Sequence, residues 1–257
     1  MRVRKRLTHA VLALVLILAG SSNAQQDSGR HSLFTRLLQR YVENGLVDYG
    51  GFAADSSFND YLAMLATTPP ESLKTRDERL ALWLNAYNAY TIKLIIDKSP
   101  VESIKDIGLG LPVLFGPWSI SFANVGGIEY SLNEIEHDII REKFADPRIH
   151  FALVCASRSC PKLRWESYEG PQLDRQLEDD ARRFVNDSSL NIFNLQEGTV
   201  SLSKIFDWYE SDFEKEEGGF RNFVSKYVES PQARDLLRSP ETAIEFLPYD
   251  WSLNGRK

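Results

Sequence analysis

The spacing of apolar side chains predicts helices in the first part of the chain. Leucines and a tyrosine recur three or four positions apart from Ser32 to Asn44, and a shorter helix is expected from Ser57 to Leu65. From Asp77 to Asp97 the chain is apolar nearly all round apart from its charged ends. Such a pattern is typical of a buried helix, so we expect this one to lie at the centre of the fold.

The middle of the chain changes to strand-like spacing. The segments Trp118–Phe122 and Ile128–Leu132 flank the turn sequence Asn124–Gly127, which predicts a β-hairpin. Immediately afterwards, Ser131-Leu-Asn-Glu134 matches a capping box. A helix is therefore expected over residues 132–143.

A second strand is predicted just before two cysteines. The segment Ile149–Val154 is apolar except for His150, which indicates a strand buried on both faces. Because Pro161 follows Cys160, we expect Cys160 to cap the N-terminus of a helix. The remaining pattern predicts helices over 173–185 and 220–228 and a hairpin over 191–202. Helices with a small, mainly antiparallel sheet and a central buried helix give an α+β fold.

The amino terminus has the pattern of a secretory signal. Four basic residues precede the uninterrupted apolar run Ala10–Ala19, and Ser22-Asn23-Ala24 supplies the small residues that a signal peptidase recognises. A membrane-spanning helix needs roughly 20 apolar residues, so this run is too short to be one. We therefore expect a signal peptide over residues 1–24, a single globular domain over 25–257, and a periplasmic or secreted protein.

Removal of the signal makes the chain more acidic. The full sequence has a formal charge of −6, and loss of the four basic residues leaves 26 basic against 36 acidic side chains, a charge of −10. Such a surface repels phosphate backbones, so nucleic acid is excluded as a partner. No stable membrane insertion is expected after processing. The substrate class left open is a small molecule, a peptide or a component of the cell envelope.

The processing prediction is testable by mass. When the full-length chain is exported, the mature protein is expected to begin at Gln25, because the cleavage pattern ends at Ala24. Intact-mass spectrometry of the exported product measures this directly. A product that retains residues 1–24 would contradict the expectation of a released envelope protein.

The two cysteines admit three interpretations. Export places Cys155 and Cys160 in an oxidising compartment, where they would form a disulfide that closes a short loop. Alternatively, a thiolate at a helix N-terminus is a candidate nucleophile, with His150 as its base. In a straight strand, positions 150 and 155 would face opposite sides, so the two meet only if the chain turns near Cys155. A metal site with His150 or His137 is the third interpretation.

Four further polar residues complete the candidate site. Asn85 and Asn88 lie on the central helix, where a buried amide must find partners, and they are expected either to cap neighbouring loops or to orient a substrate. Glu136 and His137 lie on the helix after the first hairpin, with Arg141 beyond them. Glu136 and Arg141 are five positions apart, a poor spacing for a pair on an α-helix. No cofactor is predicted.

Several sequence blocks resemble domain-of-unknown-function family 547. Three of them contain the candidate residues: Leu82–Tyr90, Ile135–His137 with Arg141, and Asp146–Pro161. Later blocks of the family are similar to Phe206–Tyr209 with Asp212 and Phe213, and to Leu247–Asn254. Val154 departs from the pattern, since the family has a polar residue, often Asn, before the first cysteine. The resemblance implies a shared fold and no established reaction.

The sequence supports one leading hypothesis and two alternatives. The first is a thiol-dependent hydrolase or acyltransferase of the cell envelope, with Cys155 or Cys160 as nucleophile, His150 or His137 as base, and an asparagine as orienting group. The first alternative is a non-enzymatic binding module fastened by a disulfide. The second is a metal site formed by Cys160, the two histidines and Glu136.

Overall fold

A computed structural model describes residues 29–108 and 116–256 of the protein. The predicted signal peptide and its cleavage point lie outside the described residues. Within those two ranges, no helix combines the length and the apolar character needed to cross a membrane.

The first segment folds as short helices around a minimal hairpin. The helix expected over 32–44 ends earlier, because Asn44 and Gly45 adopt positive φ angles of 52° and 81° and turn the chain back on itself. The helix predicted over 57–65 is present with one more residue at each end. The elements are α1 (Ser32–Tyr41), β1 (Val42–Glu43), β2 (Leu46–Val47), α2 (Tyr49–Ala54) and α3 (Ser56–Ala66).

The central helix is confirmed. Helix α4 spans Arg76–Lys98, and its side chains from Leu80 to Ile95 are buried almost without interruption. Its start is fixed by a capping box, in which Glu78 N–H donates to the Thr75 hydroxyl and the Glu78 carboxylate accepts from Thr75 N–H. The larger of two hydrophobic clusters packs around this helix.

A hairpin is present around the predicted turn, but its first strand lies entirely after the segment Trp118–Phe122, so that part of the prediction is wrong. Strands β3 (Ala123–Val125) and β4 (Ile128–Tyr130) pair antiparallel around two glycines with positive φ angles. The segment 117–119 is a 3₁₀ turn, because Pro117 lacks the N–H that a strand ladder needs. The capping box at Ser131 and Glu134 is also confirmed, with Glu134 N–H donating to the Ser131 hydroxyl at 3.1 Å.

The helix that follows is wider than an α-helix. After one α-turn, the residues Glu134–Arg141 form a π-helix, and α5 (Glu142–Phe144) completes the element. In a π-helix the backbone bonds join residues five apart, so positions 136 and 141 come to the same side. The spacing that disfavoured a Glu136–Arg141 pairing on an α-helix therefore does not apply.

Two predictions around the cysteines are wrong. The segment expected as a strand over 149–154 begins instead as a 3₁₀ helix, Pro147–Phe151, because Asp146 caps Arg148 N–H and Pro147 occupies the first helical position. No helix follows Cys160 either: its N–H closes a turn to Ser157 O. The backbone beyond it bonds to other elements rather than to itself.

The last part of the described chain has its own phenylalanine-rich core. The predicted helix 173–185 and hairpin 191–202 are confirmed, and the helix over 220–228 is one residue shorter. Its elements are α6 (Leu173–Val185), β5 (Ile192–Asn194), β6 (Thr199–Leu202), α7 (Ile205–Trp208), α8 (Glu210–Glu217), α9 (Phe220–Tyr227), α10 (Pro231–Arg238) and β7 (Ile244–Phe246). Strand β7 adds parallel to β6, and the other strand pairs are antiparallel. The fold is α+β.

The segment 249–256 crosses the cysteine loop. Arg158 N–H donates to Ser252 O at 2.9 Å, and Asn254 N–H donates to Ala156 O at 3.1 Å. Further along, Val47 N–H donates to Asn254 O. This C-terminal strap thus fastens the loop 155–160 and holds its own aromatic side chains beside the two sulfurs.

Candidate active site

The candidate site is a pocket of about 220 Å³ between the cysteine loop, the π-helix and helix α7. It contains five of the seven residues singled out from the sequence. Its polar lining consists of Asn133, Glu136, His137, His150, Cys155 and Cys160, together with the hydroxyl-bearing Tyr87, Tyr209 and Tyr249. Its apolar lining is dominated by Trp118, Trp208 and Trp251. His150 and Cys155 share this pocket because the chain turns between them and does not form the expected strand.

Cys155 and Cys160 form a disulfide in the pocket wall, with Cα atoms 6.2 Å apart. Cys155 is partly exposed and Cys160 is buried. Three donor groups surround Cys160 Sγ: Cys155 N–H at 3.0 Å, the Tyr249 hydroxyl at 3.2 Å, and Ser157 Oγ at 3.2 Å, whose one hydrogen has the Tyr249 oxygen at 3.0 Å as its alternative acceptor. The surroundings of this sulfur are therefore arranged to stabilise negative charge on it.

Four backbone N–H groups of the cysteine loop already have hydrogen-bond acceptors. Within the loop 155–160, Arg158 and Ser159 N–H groups donate to the C-terminal strap, and Cys160 N–H donates to Ser157 O. Cys155 N–H points to the sulfur of Cys160. These four N–H groups are therefore not free to stabilise an oxyanion.

The π-helix brings three functional side chains to one side. Glu136 is 7% exposed and accepts a hydrogen bond from the Tyr209 hydroxyl at 2.5 Å. One turn along, Arg141 Nη1 donates to His137 Nδ1 at 2.9 Å. Arg141 also lies over the Tyr209 ring, 5.0 Å from its centroid. π-Helical turns occur often at functional sites, and here the wider turn places the carboxyl and the imidazole in one pocket.

Asp212 links the arginine to the buried histidine. Arg141 donates to both Asp212 oxygens at 2.7 and 2.8 Å, and His150 Nε2 lies 2.8 Å from Asp212 Oδ2. Partial burial would raise the pKa of Asp212, but the hydrogen bonds from His150 and Arg141 outweigh it and hold that pKa well below its usual range. Burial lowers the pKa of His150, partly offset by Asp212. The site therefore pairs a carboxylate with a neutral imidazole.

The hydrogen-bond network assigns the tautomer of each histidine. Since Asp212 can only accept, His150 carries its proton on Nε2 and keeps a lone pair on Nδ1. Since Arg141 can only donate, His137 has its lone pair on Nδ1 and its proton on Nε2. His150 is thus equipped to act as a base, and His137 as a hydrogen-bond donor.

The two asparagines lie outside this pocket and brace the fold. Asn85 donates to Tyr168 O at 2.8 Å and accepts from Tyr168 N–H at 2.9 Å. Asn88 donates to Ala152 O at 2.9 Å and accepts from Val154 N–H at 3.0 Å. Both amides therefore cap neighbouring loops, and Asn88 fixes the chain just before Cys155. Val154 contributes only its backbone here, so its apolar side chain does not disturb this corner.

The proposed metal ligands do not converge. Within residues 29–108 and 116–256, no group of three or more His, Cys, Asp and Glu side chains has the arrangement of a metal site. Cys160 is bonded to Cys155, and His150 and His137 each direct a ring nitrogen to Asp212 or Arg141. The donor set suggested by the sequence is thus engaged in other contacts.

Sequence reasoning missed two groups from far along the chain and one hydroxyl within the cysteine loop. Asp212 orients His150, while Tyr249 and Ser157 contact Cys160, and none of the three was among the candidates. Asp212 and Tyr249 lie in the blocks that resemble family 547, which was the available signal. Their roles depend on contacts between positions 62 and 89 residues apart, which local patterns do not reveal.

Acidification is expected to destabilise the protein through its buried histidines. Burial, with a smaller contribution from Arg30, lowers the pKa of His31 from 6.5 to about 3, and the pKa of His150 is lowered as well. Below pH 6.5 the unfolded chain binds these protons and the folded chain does not, so stability falls as pH falls. Asp212 adds to this loss of stability only below about pH 4, near the pKa of an aspartate in an unfolded chain, because its pKa in the folded protein is lower.

Urea unfolding at pH 6.5 and pH 5.0 measures the effect. His31 alone is expected to lower the free energy of unfolding by about 2 kcal/mol, at roughly 1.4 kcal/mol for each pH unit. His31→Gln keeps a polar group beside Tyr61, which lies 2.8 Å from His31 Nδ1, and is expected to flatten the pH dependence. A variant with the same pH dependence as the parent would show that His31 is not the cause.

The comparisons with known proteins agree with the resemblance seen in the sequence. Residues 70–185 match the model of the family described as protein of unknown function, DUF547. No curated protein and no solved structure matches the chain. The matched range contains the cysteine loop and the π-helix, whereas Asp212 and the aromatic residues from Trp208 to Trp251 lie beyond it. The chain is a DUF547-domain protein.

Proposed function

We propose that this protein is an exported thiol-dependent hydrolase or acyltransferase of the cell envelope, active when the Cys155–Cys160 disulfide is reduced. Cys160 is the nucleophile, His150 the general base and Asp212 the positioning residue. The observation that carries the proposal is the set of three donors around Cys160 Sγ. A disulfide sulfur is a weak acceptor, whereas a thiolate gains strongly from such donors.

The tautomer of His150 supports its role as the base. Its Nε2–H is held by Asp212, so Nδ1 is free to take the proton of the Cys160 thiol. The thiolate then attacks a carbonyl carbon, a C–S bond forms, and the leaving group departs with the proton that His150 accepted. Water or another acceptor next breaks the C–S bond and returns the thiol. His137 Nε2–H and the Tyr249 hydroxyl are the side-chain donors available to the oxyanion.

A binding module without catalysis is the second candidate. The observation that favours it is the disulfide itself, which leaves neither cysteine as a free nucleophile. The C-terminal strap fastens the same loop through backbone hydrogen bonds. In that case the pocket binds a ligand, and the two sulfurs form only part of its wall.

Paired cysteine variants distinguish the two candidates. Cys155→Ser is expected to hydrolyse an activated ester such as p-nitrophenyl acetate without any reductant, because Cys160 is then free. The parent protein is expected to need dithiothreitol, and Cys160→Ser to stay inactive with or without it. Loss of activity in the Cys160 variant alone would support the thiol enzyme. Equal rates in the two variants would contradict the thiol enzyme and favour the binding module without catalysis.

The reactivity of the thiol gives an independent check. After reduction, Cys160 is expected to react with iodoacetamide at pH 6–7, below the range of an ordinary thiol with a pKa of about 8.5. Tyr249→Phe removes one donor and is expected to shift the alkylation profile to higher pH. Peptide mapping by mass spectrometry assigns the labelled cysteine. A Cys160 that alkylates no faster than a free-cysteine peptide would contradict the assignment of the nucleophile.

A further inference from the structure

The wall of the pocket beside the cysteines is aromatic. The rings of Tyr249 and Trp251 lie 4.5 Å apart between centroids, and those of Trp208 and Tyr249 lie 4.7 Å apart. Trp208 is 44% exposed, although large apolar side chains are normally covered. Trp118 extends the wall, whereas the Tyr209 ring is stacked on His150 with centroids 3.8 Å apart. A volume of about 220 Å³ admits one small functional group with a short chain behind it, rather than a folded partner.

The charge of this pocket is negative. Glu136 is its buried carboxylate, and among its lining residues, all within the described ranges, there is neither lysine nor arginine. Behind the lining, Arg141 is paired with Asp212 through two hydrogen bonds, so those two charges compensate each other. Lys105 Nζ lies over the Trp251 ring, 4.8 Å from its centre, and is not one of the lining residues of the pocket.

The charge of Glu136 affects the pKa values of the tyrosines around it. Burial is the largest cause that raises the pKa of Tyr87, Tyr209 and Tyr249, and the charge of Glu136 raises all three further. The hydroxyls of Tyr87 and Tyr209 donate to the carboxylate. These neutral donors solvate Glu136 but do not neutralise it, so one negative charge remains for a ligand to compensate.

We propose that the pocket selects a ligand that carries an aliphatic ammonium group, held between the Glu136 carboxylate and the faces of the aromatic wall. Cations are attracted to aromatic faces within about 6 Å of the ring centre, and a nearby carboxylate adds direct charge pairing. An anionic ligand is repelled by the charge of Glu136, and a neutral ligand leaves that charge uncompensated. For the proposed enzyme, the substrate is then a molecule that carries an amino group. This assignment of the substrate class rests on the proposed function.

Tryptophan fluorescence of the oxidised protein tests the proposal without any thiol chemistry. Three of the five tryptophans line the pocket, so a bound ligand changes their emission. The probes are 2-phenylethylammonium, 2-phenylethanol and 3-phenylpropionate, which share a ring and differ in charge. The ammonium probe is expected to bind at least tenfold more tightly than the alcohol, and the carboxylate probe not to saturate. Equal affinity for the alcohol or the carboxylate would overturn the proposal.

Matched charge variants assign the effect to Glu136. Glu136→Gln is expected to weaken the ammonium probe about tenfold and to leave the alcohol unchanged. Asp138→Asn removes the same charge from an exposed position on the same helix and is expected to change neither. Glu136→Asp keeps the negative charge, so it is expected to retain the preference for the ammonium probe even if Glu136→Gln fails to fold. An equal loss in the Asp138 variant, or loss of the ammonium preference in a folded Glu136→Asp protein, would overturn the assignment.

The two proposals fail separately. Ammonium binding to the oxidised protein requires no free thiol, so inactive cysteine variants leave it standing. Conversely, ester hydrolysis by Cys155→Ser without any preference among the three probes would support the thiol enzyme and overturn its proposed substrate class.

Discussion

Replacing Asn88 by leucine is expected to lower the free energy of unfolding by roughly 2–6 kcal/mol. The amide satisfies two buried backbone groups, Ala152 O and Val154 N–H, and each is left without a partner at a cost of about 1–3 kcal/mol. Asn85→Leu is expected to have a similar effect, since Asn85 satisfies both backbone groups of Tyr168. Urea unfolding with circular dichroism measures both variants.

A second substitution separates the donor from the acceptor. Asn88→Asp keeps an oxygen for Val154 N–H and loses the donor to Ala152 O, and it also places a charge in a buried position. Because burying an unpaired charge is costly, Asn88→Asp is expected to destabilise the protein by at least as much as Asn88→Leu. Unchanged unfolding midpoints in all three variants would mean that these amides do not hold the loops.

Asp212→Asn is expected to lower the rate of ester hydrolysis by the Cys155→Ser protein about 10²–10⁴-fold. The carboxylate fixes Nε2–H on His150, and an amide at this position can present its NH₂ instead, which reverses the tautomer and removes the base. The same substitution removes the pairing with Arg141. In the parent protein, Asp212 raises the pKa of His150. Without this carboxylate, the pH below which the rate falls is expected to be lower.

A neighbouring carboxylate supplies the control for Asp212. Asp207 pairs with Lys204 at 2.8 Å and contacts neither histidine among the described hydrogen bonds, so Asp207→Asn is expected to keep both the rate and the pH profile. A fall in rate without any shift of the acid limb would point to loss of folding at Asp212. Equal effects of the two variants would remove Asp212 from the mechanism.

Local patterns predicted the elements whose cause is local. Helix α4 has its cap, its apolar circumference and its charged ends within one segment, so its ends are correct to one residue. The same is true of the capping box at Ser131, and of the hairpin closed by Gly126 and Gly127. In each case the groups that satisfy the backbone are neighbours in the sequence.

The predictions failed around the cysteines, where composition alone did not decide the conformation. The apolar run around His150 has the composition of a strand, but the cap from Asp146 and the position of Pro147 start a 3₁₀ turn instead. Pro161 would suit the first turn of a helix, but the chain beyond it is irregular, and the backbone of Tyr168 bonds to the distant Asn85. Composition alone does not reveal such partners.

Part of the candidate site was visible in the sequence and part was not. His150, the two cysteines, Glu136 and His137 were singled out by residue type, and they do share one pocket. Asn85 and Asn88 were singled out by the same criterion and lie elsewhere, because a buried amide serves a loop as readily as a substrate. The orientation of His150 came only from its contact with Asp212.

The strap over the cysteine loop also imposes an order on the biosynthesis of the pocket. Cys155 and Cys160 leave the ribosome long before Tyr249, Trp251 and Asn254, and domains fold as their segments emerge. The two thiols therefore meet each other, and any oxidant, while the groups that later cover them are still missing. A nascent chain stalled before Asn254 would hold a cysteine loop without the hydrogen bonds of the strap, so its sulfurs are more open to foreign thiols than those of the finished protein.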